Sequence, residues 1–386
     1  MTEDFSFYAP IRLIAGKGSA LKVADLAEEY GAKKILILTG RHVERSAGFQ
    51  RLRQELEKRQ IPLTVRSDTL PEPPAESVDA LANYVRGETF GLVAAVGGGS
   101  VMDTAKAVCM LKTNPGFIRE YLFGGKRSVK NEPLPLVCIP TTAGSGSEVT
   151  DSSVIADTKK KSKLSVTSPL LIPKAAILDP TMQTDMPPVI TAGTEMDALT
   201  HAIESYTSKH ANPVSDIYAR AAIRMIGGTL PRVWHSPNNL DARMDMAIAS
   251  SLAAVAFVNG GLGAVHGISQ AIGGIAHTPH GISNAILLPA VMAVNREGNP
   301  EKFADIAALL GENTVGLTTE QASRRAVEAV ARLRAILDIP EHTSEIGVTK
   351  SMFPEIVDGT MAYRLLWMNP VAVTPKMVEQ LLEATL

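Results

Sequence analysis

One aspartate and three histidines near the middle of the chain, Asp197, His201, His266 and His280, have the types and spacing to share a cation. Asp197 and His201 stand four apart in a stretch that reads as helix, so their side chains lie one turn apart on one face. His266 and His280 follow, fourteen residues from each other. One carboxylate with three imidazoles suits Fe(II) or Zn(II) and is a poor set for Ca(II) or Mg(II). Each residue also has a plainer reading. Asp197, three after Thr194, could complete a helix cap. His201 could be a hydrogen-bonded core histidine, and His266 and His280 could be loop residues bonded to backbone. Spacing leaves these readings open. Of the eight histidines, His42, His210 and His235 lie in polar, turn-like or charged stretches with no partner at ligand spacing.

A second chemistry is written in glycine. Gly97, Gly98, Gly99 and Ser100 follow an apolar run and precede a helical pattern over residues 101–111. Glycines at the carboxyl end of a strand let backbone approach a pyrophosphate, and the next helix offers unpaired N–H groups and a positive dipole end. A tight strand-to-helix turn with no ligand is the plainer alternative. Ser100 and Asp103 have cap spacing, which predicts that they fix the helix start. The loop matches neither Gly-x-Gly-x-x-Gly nor a Walker loop, and it follows a later strand instead of the first. A further loop, residues 141–147, adds hydroxyls and glycines after the next strand; two such loops outline a ligand crevice.

These groups need elements to position them. Short apolar runs at 33–39, 61–66, 91–96 and 134–139 read as strands, and stretches such as 20–30 and 77–86 read as helices between them. Such alternation predicts a parallel sheet covered on both faces. After Asp179-Pro180 the pattern becomes Ala-, Met- and Leu-rich and helical. Thr318-Thr-Glu-Gln321 is a capping box opening a helix through Leu337, and Thr374-Pro375 starts the last helix. The expected architecture is an α/β dinucleotide-binding domain over 1–184 and an all-helical domain over 185–386. Composition fits two soluble domains: 386 residues, 45% hydrophobic, 20% charged. A net charge of −2 gives no footprint for nucleic acid or an anionic membrane. Cys109 and Cys138 sit in apolar contexts and read as small buried hydrophobes. No apolar run reaches a membrane span, and the acidic start lacks a signal-peptide pattern, so a cytoplasmic protein is expected.

Four ordered blocks carry a resemblance to a known family: Gly97-Gly-Gly-Ser-Val-Met-Asp-Thr-Ala-Lys106, Pro140-Thr-Thr-Ala-Gly-Ser-Gly-Ser-Glu-Val-Thr150, Asp197-Ala-Leu-Thr-His-Ala-Ile-Glu204 and Pro279-His-Gly-Ile-Ser-Asn-Ala-Ile-Leu-Leu-Pro289. Over nearly its whole length the chain resembles the iron-dependent (group III) alcohol dehydrogenases. The resemblance implies a Rossmann-like domain followed by an all-helical one. It also implies reversible hydride transfer between NAD(P)(H) and a small alcohol or aldehyde, and a homodimer or larger assembly. It assigns metal binding to Asp197, His201, His266 and His280, with Fe(II) first and Zn(II) as the alternative. It places the pyrophosphate on Gly97, Gly98, Gly99 and Ser100, with Asp103 in the same block. Cofactor contacts fall on Thr141, Thr142 and Ser145, and on Lys163, although residues 159–163 read from charge alone as a solvated face. Ser152 and Phe257 match positions lining the substrate pocket, core packing being the plainer role for Phe257. The motif prefers His280 to His277 as ligand and leaves His277 near the pocket.

Three departures matter. Gln270 stands where many members carry histidine, and glutamine is neither acid nor base near neutral pH. Gly40 stands where NAD-specific members carry an aspartate for the adenine ribose. Its lack of a carboxylate removes repulsion against a 2′-phosphate, which Arg41 could pair, so NADP(H) should be tolerated or preferred. Glu195 replaces a common glycine beside Asp197 without an evident reason. The competing reading is a sugar-phosphate cyclase-like lyase, since dehydroquinate synthase has a related metal- and NAD-containing design. Such enzymes need clustered basic residues for an anionic substrate, and none adjoins the ligands. A non-catalytic metal- or nucleotide-binding protein is the third reading, against which the complete ligand set argues.

Overall fold

The computed structural model describes residues 4–10, 12–159 and 162–386. They form two compact units. Among the described residues, one comprises those within 9–142 and 147–186; the other comprises 4–8, 143–146 and 187–386.

The first unit is α/β. Its strands are β1 (Leu13–Ala15), β2 (Ile35–Thr39), β3 (Leu63–Arg66), β4 (Leu92–Gly97), β5 (Leu136–Pro140), β6 (Ser152–Asp157), β7 (Ser162–Thr167) and β8 (Ala175–Leu178). Six of them make one parallel sheet in the order β1-β8-β5-β4-β2-β3, while β6 and β7 pair as a separate antiparallel hairpin. The helices are α1 (Val23–Glu29), α2 (Arg41–Glu44), α3 (Ala47–Lys58), α4 (Ala75–Arg86) and α5 (Gly99–Thr113). Strand side chains alternate between faces, so a sheet covered on both sides needs apolar residues at every position. Here Leu36, Leu38, Val93 and Ala95 join one core with α4 and α5, and Ile35, Ile37, Leu92, Ala94 and Val96 join the other with α1 and α3. Each fully buried Val, Leu or Ile side chain contributes about 1.5–3 kcal/mol. With β2 taken as first, the order is the doubly wound 2-1-3-4-5, whose switch point lies between β2 and β4. Val96 pairs with Thr39, and Gly97 with Pro140, so three strands end side by side. Gly40, Gly97–Ser100 and Thr141 thus emerge at the end where such sheets bind ligands.

The second unit contains α6 (Pro188–Thr207), α7 (Pro213–His235), α8 (Leu240–Gly260), α9 (Ala264–Ala276), α10 (His280–Asn295), α11 (Pro300–Leu309), α12 (Thr319–Ile336), α13 (Phe353–Met361) and α14 (Pro375–Ala384). Met196, Leu199 and Ile203 of α6 pack in one core with Ala249 and Ala253 of α8 and Ile286 and Leu287 of α10. A helix enclosed by others has no solvent face, so any polar residue on it must find a partner. The expected caps form: Thr318 accepts from the Gln321 N–H, and Thr374 from the Met377 N–H. Between α8 and α9 the chain turns by 102°, with Gly261 at φ +86°, a conformation glycine adopts without strain. That turn sets His266 in the first turn of α9. Among the described residues no single helix is long and apolar enough to cross a membrane.

Candidate metal centre and nucleotide loop

The four cation-site residues converge within the helical unit. Asp197 and His201 share a buried face of α6, His266 comes from α9, and His280 opens α10. Asp197 Oδ1 lies 3.4 Å from His266 Nε2, 3.8 Å from His201 Nε2 and 3.9 Å from His280 Nε2. One ligand atom each from Asp197, His201 and His266 falls within 4.8 Å of the others. Asp197 sits mid-helix, so the cap reading fails; Thr194 Oγ1 donates instead to Ile190 O. The rings of His201 and His266 stack at 4.6 Å, and Phe257 covers the other side of His201 at 4.5 Å.

Two imidazoles are fixed from behind. His266 Nδ1 is 2.6 Å from Glu204 Oε2, and Glu204 Oε1 accepts the Val265 N–H at 2.7 Å. His280 Nδ1 lies 2.9 Å from Ser269 Oγ. Such outer partners turn Nε2 toward a shared centre, the arrangement found around metal-binding histidines. A fifth side chain enters it: Asn284 Nδ2 donates to Asp197 Oδ1 at 2.6 Å and lies 3.2 Å from His280 Nε2. Sequence reading singled out neither Glu204 nor Asn284. Helical period was the available signal, since Glu204 follows His201 by three and Asn284 follows His280 by four.

The electrostatics are those of a cation site. Burial pushes the Asp197 carboxyl up, but the imidazoles, His201 foremost, outweigh it and hold it well below the ordinary range. Burial brings His201 down to about 4 against the pull of Asp197. Burial also opposes charge on His266, yet Asp197 and Glu204 raise it to about 9. A buried carboxylate walled by imidazoles, two of them pinned through Nδ1, fits a divalent metal.

Not every expected residue joins this cluster. His277 ends α9 at φ +53°, exposed, and takes no part in the cluster's hydrogen bonds. Gln270 is half-buried on α9, one turn beyond His266. Glu195 points elsewhere and finds its reason there: it pairs with the fully buried Arg243, Oε1 to Nη1 at 3.1 Å. Burial lifts its carboxyl to about 8, with Arg243 pulling the other way. Ser145 lies in the 143–146 segment, where Gly144 and Gly146 press on α6 and α8; added Cβ atoms would meet Thr194 O at 2.5 Å and Ala254 Cβ at 2.1 Å.

In the α/β unit the glycine loop makes the expected strand-to-helix turn. A Cβ on Gly97 would lie 2.5 Å from Val101 Cγ2, and one on Gly98 would lie 3.2 Å from Thr142 Oγ1. Only bare backbone leaves this cradle open above the start of α5, which fits a pyrophosphate. Thr141 closes the neighbouring strand, its N–H donating to Gly97 O at 3.1 Å. The expected Ser100–Asp103 cap does not form. Helix α5 starts from Gly98 without a side-chain cap, and Ser100 Oγ accepts the Glu72 N–H. Asp103 accepts from Ser147 Oγ at 2.6 Å and from the Val154 N–H at 3.1 Å. One turn on, buried Lys106 donates to Thr150 O, Thr150 Oγ1 and Ser152 O. Both residues therefore tie α5 to the following loop and hairpin, contacts 44 or more residues away in the chain.

Lys163 is not on a solvated face. It lies on β7 with its Nζ 2.5 Å from Glu72 Oε1, and its side chain is 12% exposed; Lys160 and Lys161 of the same run lie outside the described residues. Ser152 Oγ donates to Asp151 Oδ1 at 3.0 Å and lies 3.2 Å from Thr167 Oγ1. Gly40 precedes α2 at φ −100°, with open space where a Cβ would stand. Opposite it in a β-bridge is Asp68, a carboxylate that sequence reading did not weigh. Arg66 binds it through both oxygens and holds it below the usual range, with Arg41 adding to the effect.

Both parts of the chain match known proteins. The family described as "Iron-containing alcohol dehydrogenase" matches residues 10–180, and "Fe-containing alcohol dehydrogenase family, C-terminal" matches residues 191–386. The chain is 35% identical over 381 residues to the NAD-dependent methanol dehydrogenase of Bacillus methanolicus, covering 99% of this chain and 100% of that one. It is 37% identical over 368 residues to the 1,3-propanediol dehydrogenase of Citrobacter freundii, covering 95% of each. A crystal structure of a 1,3-propanediol oxidoreductase superposes with a TM-score of 0.95 at 35% identity, over 100% of both chains.

Proposed function

The chain belongs to the iron-containing alcohol dehydrogenase family, and from that premise we propose that it interconverts short primary alcohols and their aldehydes with NAD(P)(H) and a divalent metal. The observation that carries this reading is the buried Asp197 carboxylate among three imidazoles whose positions are fixed from behind. Asp197, His201, His266 and His280 would hold the metal, with Fe(II) first and Zn(II) second for this ligand set. Once bound, the metal supplies Lewis acidity toward the substrate oxygen, and the nicotinamide supplies or accepts hydride.

The protein's own groups do the rest. Asp197 lowers the net charge of the centre, Glu204 and Ser269 hold two imidazoles in orientation, and Phe257 packs an apolar face beside His201. Gln270 orients substrate or water, since its amide cannot exchange a proton near neutral pH. In the α/β unit Gly97, Gly98, Gly99 and Ser100 would carry the pyrophosphate, with Thr141, Thr142 and Lys163 as further cofactor contacts; Ser145, in the 143–146 segment of the helical unit, is the remaining one proposed. Asp103 supports them by holding the 147–154 segment. Open space at Gly40, with Arg41 beside it and Asp68 engaged by Arg66, supports acceptance of NADP(H) alongside NAD(H).

The relatives' named substrates, methanol and 1,3-propanediol, support a short alcohol. The lyase reading is not favoured, because these relatives are dehydrogenases. A homodimer or larger assembly follows from the family resemblance and is read by gel filtration of the full chain. A cytoplasmic location agrees with two buried, unpaired cysteines. The test is a panel of short alcohols, diols and aldehydes run with each cofactor. Net nicotinamide reduction with a primary alcohol, reversed by its aldehyde, is the expected result. Turnover of a sugar phosphate with no net change in nicotinamide would instead favour the lyase.

A further inference from the structure

The contact at the heart of the centre that the ligand assignment leaves unused is Asn284. Its Nδ2 donates to Asp197 Oδ1 at 2.6 Å, shorter than any approach of that oxygen to an imidazole. The same nitrogen lies 3.2 Å from His280 Nε2 and 3.4 Å from His266 Nε2. Coordination bonds of about 2.1 Å put neighbouring donor atoms roughly 3.0–3.4 Å apart, so the amide sits as close to these nitrogens as ligands sit to each other. Asn284 has no solvent exposure. It stands on α10 one turn after His280, while Asp197 stands on α6. A single helix therefore delivers one imidazole and also grips the carboxylate from another helix.

We infer that Asn284 is a positioning residue of the metal centre, holding Asp197 where a divalent cation needs it. The chemistry of an amide suits this task. A buried carboxylate needs donors. Lysine or arginine would satisfy it but would place a positive charge against the incoming cation. An amide N–H donates to Asp197 and adds no charge. Its orientation follows from Asp197: with the carbonyl oxygen turned inward, two oxygen acceptors would face each other at 2.6 Å with no proton between them. Removing the donor leaves Asp197 without its shortest contact and free to turn from the histidines. Outer-sphere contacts of this kind are worth about 10–100-fold in metal affinity.

The inference rests on the metal reading above, and the experiment separates the two. Zinc affinity of the full chain is measured by competition with a chromophoric chelator for wild type, Asn284→Leu and Asn284→Ala, with circular dichroism and melting of the metal-free proteins alongside. Leucine keeps the volume and removes the donor, while alanine serves where leucine prevents folding. The expected result is one tight zinc in wild type and at least tenfold weaker binding in a folded variant. A wild type that binds neither zinc nor, without oxygen, Fe(II) would end the metal reading. Wild type and a folded variant binding zinc within about twofold of each other would overturn the role of Asn284 and leave the metal reading standing.

Discussion

The helical unit carries its chemistry on side chains, whereas the α/β unit carries it on backbone. In the first, the proposed ligands come from three helices, and three of the four have a partner behind or beside them: Glu204 for His266, Ser269 for His280, Asn284 for Asp197. In the second, strand ends and a helix start create the site, and glycine contributes by leaving space. The lesson concerns failure. Side-chain centres fail by subtraction, and backbone cradles fail by addition.

Subtraction should produce the largest effect. His266→Ala removes a ligand and strands Glu204, so metal should be lost and turnover fall about a thousandfold or more, given several kcal/mol of Lewis-acid stabilisation. Circular dichroism should stay close to wild type. A metal-free variant with wild-type turnover would break the contrast at its strong end. Addition should act on the other unit. Gly98→Val places a branched side chain against Thr142 and across the cradle. We expect cofactor dissociation constants, read by fluorescence titration, to rise at least about tenfold (about 1.4 kcal/mol) with metal content unchanged. Unchanged cofactor binding would remove the pyrophosphate from this loop. Smaller still is Gly40→Asp, which fills open space with a carboxylate. The ratio of NADPH to NADH dissociation constants should rise several-fold, up to roughly tenfold, by repulsion of the 2′-phosphate. No change in the ratio would place cofactor discrimination elsewhere.

The same contrast explains what could be read in advance. The glycine run is contiguous, and β2, β4 and β5 are unbroken apolar stretches, so sheet and loop were legible. The four ligands were legible as types, yet spacing alone did not rank His280 above His277. The structure separates them: His280 opens α10 facing Asp197, and His277 is exposed. Three-residue β1 and four-residue β8 are too short to carry a periodic signal, and the β6–β7 hairpin lies beyond the reading that ended at the fourth strand. Asp103 looked like a cap because capping is local, but its partners Ser147 and Val154 are tertiary. Lys163 looked solvated because charge runs usually are, but Glu72 lies across from it. Glu195 made sense only with Arg243, 48 residues away. Each misreading traces to a partner distant in sequence.

If the centre built on Asp197 holds the metal, dehydrogenase turnover depends on one ion per chain. The most direct test strips the full chain with a chelator, titrates Fe(II) back without oxygen, and follows bound metal and 1,3-propanediol oxidation in the same samples. Turnover should vanish on stripping and return in proportion to bound metal, reaching its maximum at one ion per chain. Undiminished turnover in protein shown to be metal-free would contradict the account.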